Sequence, residues 1–142
     1  MRFWESSAIV PLLVAEPVTA AVRALYLEDQ AVAVWWMTPV ECASALARLE
    51  RDGALRAKVA AESFRRLDAL TPSWIEIEPA GEIREIARRL LRSHPIRAGD
   101  ALQLAAAYLA AERRPATLGF VTLDDRLAEA ADREGFVVVQ PG

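Results

Sequence analysis

The hydrophobic positions change period several times along the chain. Short runs rich in β-branched and aromatic residues, at 2–4, 31–36, 74–77, 119–122 and 136–139, read as strands. Between them the apolar residues recur at helical spacing, which predicts helices near 7–15, 18–28, 39–52, 55–70, 80–92, 100–113 and 125–134. Strands alternating with helices mark an α/β domain. The expected fold is therefore one domain over residues 1–142, with a mostly parallel sheet of about five strands and helices on both faces.

Local signals sharpen several boundaries. Thr38-Pro39-Val40-Glu41 reads as a capping box with proline at the first helical position, and Gly53 ends that helix. Ser93-His94-Pro95 interrupts the chain between two helices and places His94 in a surface loop, because the residue before proline avoids helical dihedrals. The stretch from Gly99 to Ala111 is the most apolar, yet it is shorter than a membrane span and carries Gln103 and Tyr108. It reads as a buried helix.

Composition narrows the chemistry. A chain of 142 residues builds a sizeable core without covalent staples. One cysteine, Cys42, and one histidine, His94, exclude an internal disulfide and a Cys/His zinc site, in keeping with a reducing cytoplasm. The first residues carry no secretory leader pattern. A net charge of −3 neither recruits nor forbids nucleic acid, since that depends on where the charges lie.

The acids gain meaning once placed on the predicted elements. Glu5 follows the first strand, Glu41 lies in the first turn after the second, and Asp124 follows Phe120-Val121-Thr122. Asp100 opens the most apolar helix. Ligand sites of open α/β sheets form beyond the carboxyl ends of the strands, so Glu5, Glu41 and Asp124 belong to one edge, which Asp100 is placed to join. Carboxylates gathered there repel one another at neutral pH, so either their pKa values rise or a divalent cation neutralises them, for which a hard, oxygen-seeking ion such as Mg2+ or Mn2+ is suited. Each acid also has a purely local reading. Glu41 serves equally as the capping-box glutamate and Asp124 as an N-cap, with Asp125 beside it as a rival ligand.

Four segments carry a resemblance to a known family. Glu5-Ser6-Ser7-Ala8-Ile9-Val10-Pro11-Leu12-Leu13 resembles the opening of PIN domains, in which an acid ends the first strand and a small hydroxyl residue follows. Thr38-Pro39-Val40-Glu41 with Ala45-Leu46 resembles the second motif. Arg97-Ala98-Gly99-Asp100-Ala101-Leu102-Gln103-Leu104-Ala105 resembles the third, and Phe120-Val121-Thr122-Leu123-Asp124-Asp125-Arg126-Leu127 the fourth. They occur in the family's order and span nearly the whole chain.

The resemblance, which is to VapC-type toxins in particular, implies a metal-dependent endoribonuclease acting on RNA phosphodiesters. Its implied metal ligands are Glu5, Asp100 and Asp124, with Glu41 binding directly or through water. Ser7 and Thr122 are the implied donors that hold carboxylates in place, and Arg97 the implied phosphate contact. A VapB-like antitoxin and a second copy of the chain are the implied protein partners. The chain departs from the family at its first acid, where aspartate is usual and Glu5 stands. The extra methylene motivates a second reading, a PIN-like module with weakened catalysis that binds RNA or a protein.

Other chemistries fare worse. Ser6 or Ser7 as a nucleophile lacks a base, since His94 stands in the loop before Pro95. A phosphoryl-accepting receiver or phosphatase needs a lysine after a late strand, and the sole lysine, Lys58, falls within a helix. Arg84, Arg88, Arg89, Arg92 and Arg97 form a basic stretch that reads first as the solvated face of a helix packing Ile83, Ile86, Ala87, Leu90 and Leu91 inward. Cys42, Trp35 and Trp36 read as core residues, and Leu12, Leu13, Leu46 and Leu49 as core or as a partner groove.

Overall fold

Strand order places the first strand at the centre of the sheet. A computed structural model describes residues 1–142, with five strands, β1(Arg2–Trp4), β2(Val32–Trp35), β3(Ile75–Ile77), β4(Gly119–Val121) and β5(Val137–Val139), in the order β3-β2-β1-β4-β5. Every pairing is parallel. The chain winds outward from β1 on one side through β2 and β3 and on the other through β4 and β5. The reversal of strand order falls at β1, where such sheets open a crevice at their carboxyl edge.

Seven helices complete the fold: α1(Ser6–Leu13), α2(Thr19–Glu28), α3(Thr38–Arg51), α4(Ala57–Leu70), α5(Gly81–Ser93), α6(Ala98–Ala110) and α7(Asp125–Arg133). Side-chain alternation along the strands divides the core into two layers. Phe3, Ala33, Trp35 and Phe120 face α5, α6 and α7, whereas Trp4, Val32, Val34 and Val121 face α1, α3 and α4. Phe3 stacks on Phe120 with ring centroids 5.6 Å apart, tying β1 to β4. The expected α/β architecture with helices on both faces is thus present. No helix is long and apolar enough to cross a membrane.

α6 lies deepest. Ala101, Gln103, Leu104, Ala105, Ala106 and Ala107 have no exposed surface, so the short alanines let this helix approach the sheet closely while Gln103 brings a polar group into the interior. Such a group requires partners, and it finds them on α3.

Four local expectations are corrected. The capping box at Thr38 does not form: Met37 is the N-cap without a side-chain bond, and fully buried Thr38 is already helical. Its Oγ1 accepts from Gln103 Nε2 at 3.1 Å, and Glu41 also turns to Gln103. A buried amide has no water to satisfy it, so it captures both side chains from a cap that solvent can replace.

His94 is buried rather than exposed, with Nε2 2.6 Å from Glu134 Oε2 just beyond α7. Leu91 is 40% exposed, because α5 presents Ile83, Ile86, Ala87 and Leu90 to the core and turns position 91 away. Trp36 is 47% exposed just past the end of β2, whereas Trp35 enters the core as expected.

Candidate active site

Glu5 is the most deeply placed of the acids, with 5% of its surface exposed. It occupies the N-cap of α1, so the end of β1 and the start of a helix fix its backbone together. Its Oε1 accepts from Ser6 Oγ at 2.8 Å and from the Ser7 backbone N–H at 3.1 Å. Its Oε2 accepts from Thr122 Oγ1 at 2.8 Å and from the Ser7 hydroxyl. Those two hydroxyls are aimed from behind: the N–H of Leu123 donates to Ser7 Oγ at 2.9 Å, and that of Asp124 to Thr122 Oγ1 at 3.0 Å. The protons of Ser7 and Thr122 are thereby free to point at Glu5.

Ser6 links Glu5 to Glu41. Its Oγ lies 2.8 Å from Glu5 Oε1 and 3.1 Å from Glu41 Oε2, so one hydroxyl proton faces two carboxylates. The other oxygen of Glu41, Oε1, accepts from Gln103 Nε2 at 3.0 Å. Burial raises the Glu41 carboxyl above its ordinary value of 4.5, more than the bonds from Gln103 and Ser6 lower it, and the charges of Glu5 and Asp100 push the same way.

Asp100 and Asp124 stand at helix starts. Asp100 is half-buried in the first turn of α6, where Oδ2 accepts the Arg97 backbone N–H at 3.3 Å. Burial raises its carboxyl, and neighbouring Asp124 and Glu5 add to the effect. Asp124 caps α7, its Oδ1 accepting from the N–H of Leu127 at 3.0 Å. The local cap and a place in the cluster are therefore both realised in one residue. Asp125, beside it, has Oδ1 accepting from Gln140 Nε2 at 3.1 Å.

Two adjoining clefts open over these groups. One, about 510 Å³, is lined by Ser6, Ser7, Glu41, Arg48 and Asp124 among others. The next, about 460 Å³, is lined by Arg97, Asp100, Asp124, Asp125 and Arg126 among others. Asp124 belongs to both, which joins acids from α3, α6 and the β4–α7 turn, and Ser6 ties Glu5 beneath them to Glu41. None of Glu5, Glu41, Asp100 and Asp124 enters an ion pair, and neither do Arg48, Arg97 and Arg126.

Partly buried acids that repel one another and have no ion-pair partner favour an added cation. Its donors are all oxygen, the chemistry that hard divalent ions take. The side chains do not stand in a closed ligand set, since no three His, Cys, Asp or Glu groups lie close enough to hold one ion. Glu5 explains part of that spacing, because both its oxygens are engaged by hydroxyls and a backbone N–H. The residues fit a divalent cation by charge and donor type.

Two residues of this neighbourhood escaped sequence reasoning. Ser6 entered only as a discounted nucleophile, whereas it bridges two acids. Gln103 entered only as a polar interruption in an apolar helix. Its position three residues after Asp100 was the available signal, because residues so spaced share a helix face.

Comparison with known proteins bears on the family and the fold. A PIN domain family model matches residues 3–133. The chain is similar to ribonuclease VapC35 of Mycobacterium tuberculosis, 34% identical over 145 aligned positions that cover 100% of this chain and 98% of that protein. Its fold is similar to that of FitAcB from Neisseria gonorrhoeae, with a TM-score of 0.68 and 19% identity over 97% of this chain and 96% of that one. It is also similar to that of VapBC2 from Rickettsia felis, solved with a DNA fragment from its promoter, with a TM-score of 0.68 and 10% identity over 99% and 98% of the two chains.

Proposed function

The chain belongs to the PIN-domain family, and from that premise we propose that it is a metal-dependent endoribonuclease, the toxin of a VapC-type toxin–antitoxin pair. The observation that carries the reading is that Glu41, Asp100 and Asp124 line two adjoining clefts, with Glu5 tied to Glu41 through Ser6 and none of the four in an ion pair. Mg2+ or Mn2+, held by Glu5, Asp100 and Asp124 with Glu41 direct or through water, would supply a lowered water pKa and positive charge against the developing phosphorane.

The protein's own groups would do the rest. Ser7 and Thr122 hold the Glu5 carboxylate in one orientation, each aimed by a backbone N–H. Arg97 on one side of Asp124 and Arg48 on the other, both exposed, are placed to take phosphates flanking the scissile one. A groove with acids at its floor and arginines at its rim accepts a phosphodiester chain without reading its bases.

VapC35 is named a ribonuclease, and VapBC2 was solved with promoter DNA. By extension this protein is expected to be restrained by a VapB-like antitoxin and to pair with a second copy of itself. The test of the function is cleavage of single-stranded RNA by the purified protein with Mg2+ or Mn2+. Loss of cleavage in EDTA and in Asp124→Asn supports the reading, and metal-independent cleavage overturns it.

A further inference from the structure

Gln103 is a fully buried side chain whose amide spends both hydrogens on α3 and leaves its own oxygen unpartnered. Nε2 donates to Glu41 Oε1 at 3.0 Å and to Thr38 Oγ1 at 3.1 Å. Oε1 is buried with no hydrogen-bond partner. The reverse amide orientation would set Oε1 against a carboxylate oxygen, two acceptors face to face, so the partners themselves fix which end is nitrogen. An orphaned buried acceptor is costly, and an apolar residue of like volume would avoid the cost. The fold nevertheless keeps the amide here, with its donor end on an acid of the site.

The placement of Gln103 on α6 adds a second consequence. Asp100 lies three residues earlier on the same helix, so the two share a face about one turn apart. One rigid helix thus carries one acid and grips another. Ser6 Oγ lies 3.1 Å from the opposite oxygen of Glu41 but shares its one proton with Glu5 at 2.8 Å, so Gln103 is the donor committed to Glu41.

We infer that Gln103 is a positioning residue of the acidic site, acting through Glu41 to set its separation from Asp100 across the α3–α6 contact. The inference rests on the divalent-cation reading given above. Gln103 itself touches neither substrate nor ion. It works by removing the rotational freedom of the Glu41 carboxylate, as hydrogen-bond partners of metal ligands commonly do.

Calorimetric titration of Mn2+ into the RNA-free protein tests it. Gln103→Met keeps the volume and removes both the donor and the orphaned acceptor; it should still fold, melting somewhat lower because Thr38 Oγ1 and Glu41 Oε1 lose their donor, while binding Mn2+ about ten- to a hundredfold more weakly. On a Glu41→Gln background the same substitution should change Mn2+ affinity little, because the contact persists but the carboxylate it positions is gone. Thr38→Val, which removes the amide's other partner, serves as the variant that leaves the Glu41 contact in place and should retain most of the affinity.

Wild-type affinity in Gln103→Met overturns the inference and leaves the cation reading standing. Effects of Gln103→Met and Glu41→Gln that simply add also overturn it, since they would make the two residues independent. Failure of the wild type to bind Mn2+ overturns the cation reading first, and this inference with it.

Discussion

Thr122 donates its hydroxyl to Glu5 Oε2 at 2.8 Å, joining the residue after β4 to the residue after β1. The two strands are neighbours at the centre of the sheet, so parallel pairing brings these chain-distant side chains to one edge. The Asp124 N–H completes the relay by donating to Thr122 Oγ1. The site is therefore a property of strand order before it is a property of any one residue.

Removing that donor has a defined cost. Thr122→Val keeps the shape and withdraws a hydrogen bond from a buried carboxylate, a loss of about 1–3 kcal/mol. Thr122→Ser should recover most of it. Thermal or urea unfolding of the three proteins checks the order, and equal stability of the valine and serine forms would show that the bond contributes nothing.

Glu5 uses the full reach of its side chain. Shortening it to aspartate withdraws the carboxylate by about 1 Å, a displacement to which site geometry is sensitive. Its donors Ser6, Ser7 and Thr122 are arranged around the longer residue. Glu5→Asp is expected to cleave RNA in Mn2+ no faster than the wild type. A large gain would instead mean that glutamate attenuates the site, which favours the module with weakened catalysis.

Stability should depend on pH in opposite senses at two places. Burial raises the carboxyls of Glu41 and Asp100 above 4.5 and 3.8. The unfolded chain therefore ionises first as pH increases, so these groups favour the fold in acid and that contribution is lost as pH rises through the raised values. Glu41→Gln, whose amide still offers Gln103 an acceptor, should raise Tm at about pH 7 and give little gain near pH 4. Glu134 behaves conversely: against a burial penalty, bonds from Arg89 and His94 hold it below 4.5. Its contribution is present above 4.5 and fades as pH falls through the lowered value, so Glu134→Gln should cost stability at neutral pH and less in acid.

Strand positions and helix existence were legible in the sequence because they rest on period and punctuation, which are local. All five strands and seven helices occur where apolar spacing and the Gly, Pro and Asp signals place them, within a few residues at their ends. The errors share a cause. Thr38 and Glu41 satisfy a local capping pattern, yet their partner Gln103 lies more than sixty residues along the chain. His94 beside Pro95 reads as a loop residue, and its burial depends on Glu134, forty residues away. Such pairings come from helix packing, on which local pattern is silent.

The arginines at the groove rim carry a separable prediction. Arg48 and Arg126 line different clefts and make no ion pair. Arg48→Ala and Arg126→Ala should each raise KM with little change in kcat. Each should also flatten the salt dependence of single-stranded RNA binding, by about 0.7 in the slope of log K against log salt for one lost phosphate contact. An unchanged slope would remove that arginine from the RNA path.

The most direct measurement is the position of Mn2+ in a crystal of the protein, located by anomalous scattering at the metal's absorption edge. The expected peak is bounded by Glu5, Asp100 and Asp124, with Glu41 touching it directly or through water. Density bound elsewhere on the surface, with these four carboxylates unengaged, would contradict it.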